Sequence, residues 1–229
     1  MKSVVIIIMS LLIFVSCERK ANPTGTITPS LPLVTIAEVP SPVQQTITVE
    51  KGSNLRAIGA TTYGHQRFSG FVAALNGIPD PERVLLGATL KTPSLAAAFR
   101  DAGMDPVYQP AMNALAKACT DYYAAEPAYL RARDAAGGAA GFFPIPADIK
   151  AKFIHIADTI DSAVVVLEVK NSPYRVPTMT IGQFRQASYQ IRELSRGSMD
   201  GYGYDFDLVG QRFGLAFTNA LIWTQQQHR

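Results

Sequence analysis

Between Thr46 and Pro93 the hydrophobic pattern changes period twice within one short stretch, and that order of changes restricts the chain to very few folds. Thr46-Ile47-Thr48-Val49 alternates and is rich in β-branched residues, which is the pattern of a strand. Gly52-Ser53-Asn54 is a turn, and Ser53 or Asn54 can cap a helix that starts at Leu55. Leu55 and Ile58 give that helix its apolar face, and Tyr63-Gly64 stops it with glycine in the C′ place. A second helix is expected from about Arg67 to Leu75, with Phe68, Val72 and Leu75 at core spacing. Asn76-Gly77 turns the chain again, and a loop carrying Pro79 and Pro81 leads to a second short strand, Leu90-Lys91-Thr92, ended by Pro93. The expected order is β-α-α-β.

The residues before this unit describe an address. Met1-Lys2-Ser3 carries one positive charge, and Val4 to Val15 is apolar except for Ser10. About 20 residues are needed to span a bilayer, so this run is too short to do so comfortably and has the dimensions of a secretory signal. It ends in Phe14-Val15-Ser16-Cys17. That segment resembles a bacterial lipobox, in which a small residue precedes the cysteine that receives diacylglycerol. The resemblance implies cleavage after residue 16 and lipid on Cys17, and two or more acyl chains hold a protein stably on a membrane. Glu18 in place of Asp is similar to the pattern that sorts lipoproteins to the outer membrane in Gram-negative cells.

Residues 17–45 contain Pro23, Pro29, Pro32, Pro40 and Pro42 and keep neither a helical nor a strand period. They read as a semi-extended tether, at about 3.1 Å per residue where polyproline conformation holds.

The chain has 229 residues, 48% of them hydrophobic, and a formal charge of +3. So small a charge is no nucleic-acid footprint. The two cysteines are Cys17 and Cys119. With Cys17 acylated, no intramolecular disulfide supports the fold. Cys119 lies in an alanine-rich apolar stretch and is expected in the core.

The segment 46–93 resembles a LysM domain over nearly its whole length. The matching pieces are Thr48-Val49-Glu50-Lys51-Gly52-Ser53-Asn54-Leu55, Ile58, Tyr63-Gly64, Leu75-Asn76-Gly77-Ile78 and Leu86-Gly87-Ala88-Thr89-Leu90-Lys91-Thr92-Pro93. The resemblance implies a two-stranded antiparallel sheet on two helices, and a shallow groove that binds N-acetylglucosamine-containing glycan, chiefly peptidoglycan. Carried onto this chain, one wall of the groove is Gly52, Ser53, Asn54 and Leu55, and the other is Asn76, Gly77, Ile78, Pro79 and Asp80. Backbone groups at the glycine turns match an acetamido group, and Leu55, Ile78 and Pro79 can cover its methyl. Gly52 and Gly77 also serve turn geometry, Asn76 can brace its loop, and Leu55 is expected in the core rather than the groove. Ser53-Asn54 stands where the family usually has Asp-Thr, so capping survives but a groove carboxylate is lost.

Residues 94–229 have a helical period. Ser94 is expected to cap a short helix to about Ala102. Val107 to about Ala136 should form a long helix that Pro127 kinks or restarts. Pro146 opens an amphipathic helix with Ile149, Phe153, Ile156, Ile160 and Leu167 inward. Thr180 is expected to cap a helix with Ile181, Phe184, Ile191 and Leu194 inward. Asp205 or Asp207 should open the last one, with Val209, Phe213, Ala216, Ala220 and Trp223 inward. Four such helices suggest a bundle. The expected class is therefore α+β: signal 1–16, lipid-anchored tether 17–45, βααβ unit 46–93 and an all-α, bundle-like segment 94–229.

No catalytic or metal constellation stands out in the sequence. Glycan cleavage needs paired carboxylates, one with a raised pKa. Glu126, beside Pro127, is the least ordinary glutamate, whereas Glu168 and Glu193 read as solvated helix faces. His155 and Asp158 read as a surface pair, His65 and His228 have no companions at ligand spacing, and Asp200, Asp205 and Asp207 do not match an EF-hand. The expectation is a non-catalytic envelope protein that needs no cofactor, binds peptidoglycan and the membrane, and offers its helices to packing or a protein partner. A peptidoglycan hydrolase is the alternative.

Overall fold

The computed structural model describes residues 46–137, 141–168, 175–199 and 204–227. The expected signal 1–16, Cys17, the tether to residue 45, Asp200 and His228 lie outside them. The described residues form an α+β arrangement dominated by helix.

The first strand, β1, is Thr46–Thr48, and it pairs antiparallel with β2, Thr89–Lys91, with Ile47 opposite Leu90. Between them lie α1, Leu55–Tyr63, a 3-10 turn at Gln66–Phe68, and α2, Ser69–Leu75. The second helix thus begins as a 3-10 turn, whose cap is the His65 ring accepting from the Arg67 N–H at 3.2 Å. Asn54, not Ser53, caps α1: its side-chain oxygen accepts from the Ala57 N–H at 2.9 Å. Gly64 ends α1 at φ 90°, and its N–H donates to the Ala60 carbonyl.

Ser94 caps α3, Leu95–Asp101, as expected. Then α4, Gln109–Ala135, runs through Pro127 without a break, so the proline removes one backbone donor but does not restart the helix. Gly141–Phe142 is β3, and it pairs antiparallel with β4, Ser198–Met199. Between those strands lie α5, Ala147–Glu168, and α6, Thr178–Ser195; α7 is Tyr204–Gln226. The expected inward residues of α5 and α6 are buried. Thr180 is not the cap of α6. The helix starts earlier, behind Pro177 at φ −57° and ψ 134°, and Thr180 is fully buried in the first turn. Its hydroxyl has no hydrogen-bond partner among the described residues. In α7 the helix begins before both candidate aspartates, and Val209, Phe213, Ala216 and Ala220 are buried. Trp223 is only partly buried, meeting Tyr108 edge-on at 6.1 Å.

Helices α4, α5, α6 and α7 pack in sequence order. Tyr122 and Tyr129 of α4 meet Phe206 of α7, and Tyr122 also meets Phe213, which closes the bundle. The βααβ unit lies against α7 and shares one contiguous core with the bundle. Three glycines let the backbones approach. A Cβ at Gly70 would lie 3.1 Å from Thr218, one at Gly210 would lie 2.4 Å from the His65 ring, and one at Gly214 would lie 2.7 Å from the backbone of Arg67. Across this seam Phe68 stacks on Phe217 at 6.0 Å, and the Gln225 amide donates to the Ala74 carbonyl. No helix among the described residues is long and apolar enough to cross a membrane.

Candidate functional site

The antiparallel pairing of β1 with β2 brings the loops 49–54 and 76–88 out at the same end of the small sheet. They are stitched together by the Val49 N–H donating to the Ala88 carbonyl and the Gly87 N–H donating to the Val49 carbonyl, both at 2.8 Å. Gly52 (φ 88°) and Gly77 (φ 64°) sit at the turns in the left-handed region, and a Cβ at either would meet nothing within 4 Å. The space over both turns is open.

The nine expected groove residues divide by burial. Gly52, Asn54, Gly77 and Pro79 are exposed, and Ser53, Asn76, Ile78 and Asp80 are half-buried. Leu55 is 1% exposed, so its side chain belongs to the core and only its backbone can border a ligand. Asn76 is a brace. Its amide donates to the carbonyls of Val72 (2.9 Å) and Lys91 (3.0 Å), and its oxygen accepts from the Lys91 N–H at 2.7 Å. The Ile78 N–H is spent on the Ala73 carbonyl, and the Asp80 carboxylate takes the Glu82 N–H and lies 3.3 Å from Arg83. Arg56 of α1 reaches Glu82 at 2.8 Å and ties the second loop to that helix. What remains for a ligand is a shallow surface of turn backbone, Pro79 and partly exposed apolar carbon. Such a surface binds weakly.

Because Asn76 holds the end of α2 to β2, Asn76→Ala is expected to lower stability by about 1–3 kcal/mol. It should also speed hydrogen exchange at the Lys91 amide more than at amides of α5, which exchange measured by mass spectrometry will show.

A second polar cluster lies on the seam, where α1, α4 and α7 converge. His65 Nε2 is 3.0 Å from Asp207 Oδ1. Since Nδ1 accepts from the Arg67 N–H, the proton sits on Nε2, which donates to the carboxylate. Gln211 donates to the other Asp207 oxygen. Burial pulls the Asp207 pKa upward, but the hydrogen bonds from Gln211 and His65 and the charge of Arg67 outweigh it and hold the carboxyl below its usual range. Tyr123 packs over Gly64, and the Tyr122 and Tyr123 hydroxyls are buried with no hydrogen-bond partner among the described residues. Burial raises both phenols above their ordinary pKa. On the same turns of α4, burial pushes the Glu126 carboxyl up. Sequence reasoning singled out Glu126 but not this cluster, because His65 and Asp207 are far apart in the chain and neither carries a local motif.

A raised folded-state pKa in a carboxylic acid means that the charged form is disfavoured by folding. The penalty is full above the raised value and disappears as pH falls below the unfolded one. Glu126→Gln is therefore expected to melt higher than the parent at pH 7, with the gain shrinking as pH falls through the acidic range. Thermal melts at a series of pH values check this.

The remaining candidates are structural. Cys119 is 1% exposed and its thiol is pushed up by burial, which makes it a poor nucleophile. Glu168 pairs with Arg185, and Glu193 with Arg196. Asp158 pairs with Arg192 rather than His155, because α6 brings that guanidinium between Asp158 (2.7 Å) and Asp161 (2.6 Å). Trp223 borders a cavity of about 250 Å³ with Met104, Pro106 and Gln227. Among the described residues no three His, Cys, Asp or Glu side chains are grouped to hold a metal ion. No protein-family model matches the chain, and no curated protein or solved structure does.

Proposed function

We propose that this protein is a lipid-anchored, non-catalytic component of a bacterial envelope that grips N-acetylglucosamine-containing glycan, chiefly peptidoglycan, through a LysM-like unit at residues 46–93. The observation that carries this reading is that the two loops of the β-α-α-β unit are stitched together at Val49, Gly87 and Ala88, with an open glycine turn in each loop. Cys17 and the residues up to 45 hold the unit at a membrane. The helices of residues 94–229 act as a rigid base and are available to a protein partner.

Two experiments test the reading. Radioactive fatty acid should label the parent chain and not Cys17→Ala, and equal labelling would remove the anchor. The chain from Glu18 to Arg229 should co-sediment with purified sacculi. A Gly52→Asn/Gly77→Asn double variant, which adds side chains into open space at positions where asparagine is among the least strained replacements, should stay in the supernatant while remaining folded, with only a modestly lower melt. A parent chain that does not sediment would sink the proposal.

A hydrolase is the second reading, and the observation in its favour is the burial-raised Glu126 on the same seam as the ionised Asp207. Opposed carboxyl environments are what acid–base cleavage of glycan uses. It predicts muropeptide release from sacculi that Glu126→Gln abolishes.

A further inference from the structure

We infer that Leu85 and Leu86 form an apolar platform beside the glycan groove that receives the ring face of a pyranose. The inference rests on the glycan reading above and extends it to two residues that neither groove wall includes.

Single exposed leucines are ordinary on a protein surface. These two are adjacent in sequence, and at 78% and 69% they are the most exposed large apolar side chains among the described residues. They are also held in place. The Ala88 N–H donates to the Leu85 carbonyl at 3.1 Å and closes a turn over them. The Gly87 N–H and Ala88 carbonyl then fasten that turn to Val49, three residues before Gly52. Arg56 and Glu82 tie the preceding stretch to α1. The backbone that carries the apolar pair is thus held at the end of the sheet where the two loops are stitched together, so its ordering entropy is already spent in folding. Val84, just before it, is half-buried and packs on the core, so the platform has a firm base.

The chemistry of the neighbours selects sugar over lipid. A pyranose has one face of C–H groups and a rim of hydroxyls. Two leucines cover the former, and Glu50, Lys51, Glu82 and Arg83, all exposed, surround them with groups for the latter. A lipid surface would have to strip water from two carboxylates to reach the leucines, which is unfavourable.

The test is a Leu85→Ser/Leu86→Ser double variant of the chain from Glu18 to Arg229, compared with the parent. Its readouts are thermal melting, co-sedimentation with sacculi, and co-sedimentation with vesicles of mixed zwitterionic and anionic phospholipid. Since both side chains are exposed, the melt should not move. Binding to sacculi should weaken about five-fold or more through lost apolar contact, and neither protein should pellet with vesicles. Parent-like binding of the variant to sacculi overturns the platform while leaving the glycan reading intact. Vesicle binding by the parent that the variant loses overturns it in favour of a membrane contact. A parent that fails to bind sacculi at all overturns the glycan reading and the platform with it.

Discussion

Phe217→Ala is expected to lower stability by about 3–5 kcal/mol, as large-to-small changes of a buried phenylalanine do. Phe217 is fully buried on α7. Its ring lies 6.0 Å from Phe68 of the βααβ unit, 6.0 Å from Phe99 of α3, 5.1 Å from Phe184 of α6 and 6.2 Å from Phe213 on its own helix. Side chains from four parts of the chain would lose their common partner, and no one of them can move to fill the space without leaving another. Typical domains have only about 5–15 kcal/mol in total, so the variant should sit close to unfolding. The loss should also be felt in both parts at once. Hydrogen exchange at Leu90 in β2 and at Ile160 in α5 should accelerate together. If β2 keeps its protection while α5 loses it, the two parts are not one cooperative unit.

Gly64→Ala is the second large effect, at about 2–5 kcal/mol. Two separate penalties meet at this position. Gly64 has φ 90°, where a side chain is strained by about 1–2 kcal/mol. The new Cβ would also lie 2.5 Å from a ring atom of Tyr123, which α4 holds against the end of α1 with the Tyr122 ring 5.2 Å away. Gly52→Ala separates the two terms. Gly52 has φ 88° but open space around it, so its alanine variant carries the strain without the clash. Urea unfolding of both should show Gly64→Ala as clearly the worse. Equal losses would mean that Tyr123 yields and that the seam is softer than its geometry implies.

These two residues also show why some of the fold can be read from sequence and some cannot. Whatever is decided within a few residues is readable. The strand at Thr46–Thr48, the Asn54 and Ser94 caps and the stop at Gly64 each depend on their immediate neighbours. The apolar stripes of α5 and α6 follow from helical period alone. Long-range decisions are not readable in this way. Gly70, Gly210 and Gly214 look like ordinary helical glycines until the opposing elements are placed beside them. His65 reads as isolated until Asp207 arrives from α7. Thr180 resembles a cap in sequence, but Pro177 starts the helix first and the bundle then buries the hydroxyl.

The candidate groove shows the same division. The turns at Gly52 and Gly77 are local and were readable. Leu55 in the core and Asn76 as a brace were readable as well, but the partners that Asn76 braces, Val72 and Lys91, follow only once α2 and β2 meet. The platform at Leu85 and Leu86 could not be read either, since exposure is a property of the finished fold. One practical consequence follows for experiment. Removing residues 46–93 would uncover Phe217 and much of α7, so point changes in the loops are the cleaner probe.

The most direct measurement is a titration of the isotope-labelled chain from Glu18 to Arg229 with a soluble N-acetylglucosamine oligomer, followed by amide chemical shifts. Binding at the paired loops predicts progressive shifts at Gly52, Ser53, Gly77 and Ile78, with α5 and α6 unmoved. An unchanged spectrum at millimolar oligomer, or shifts confined to the bundle, would contradict it.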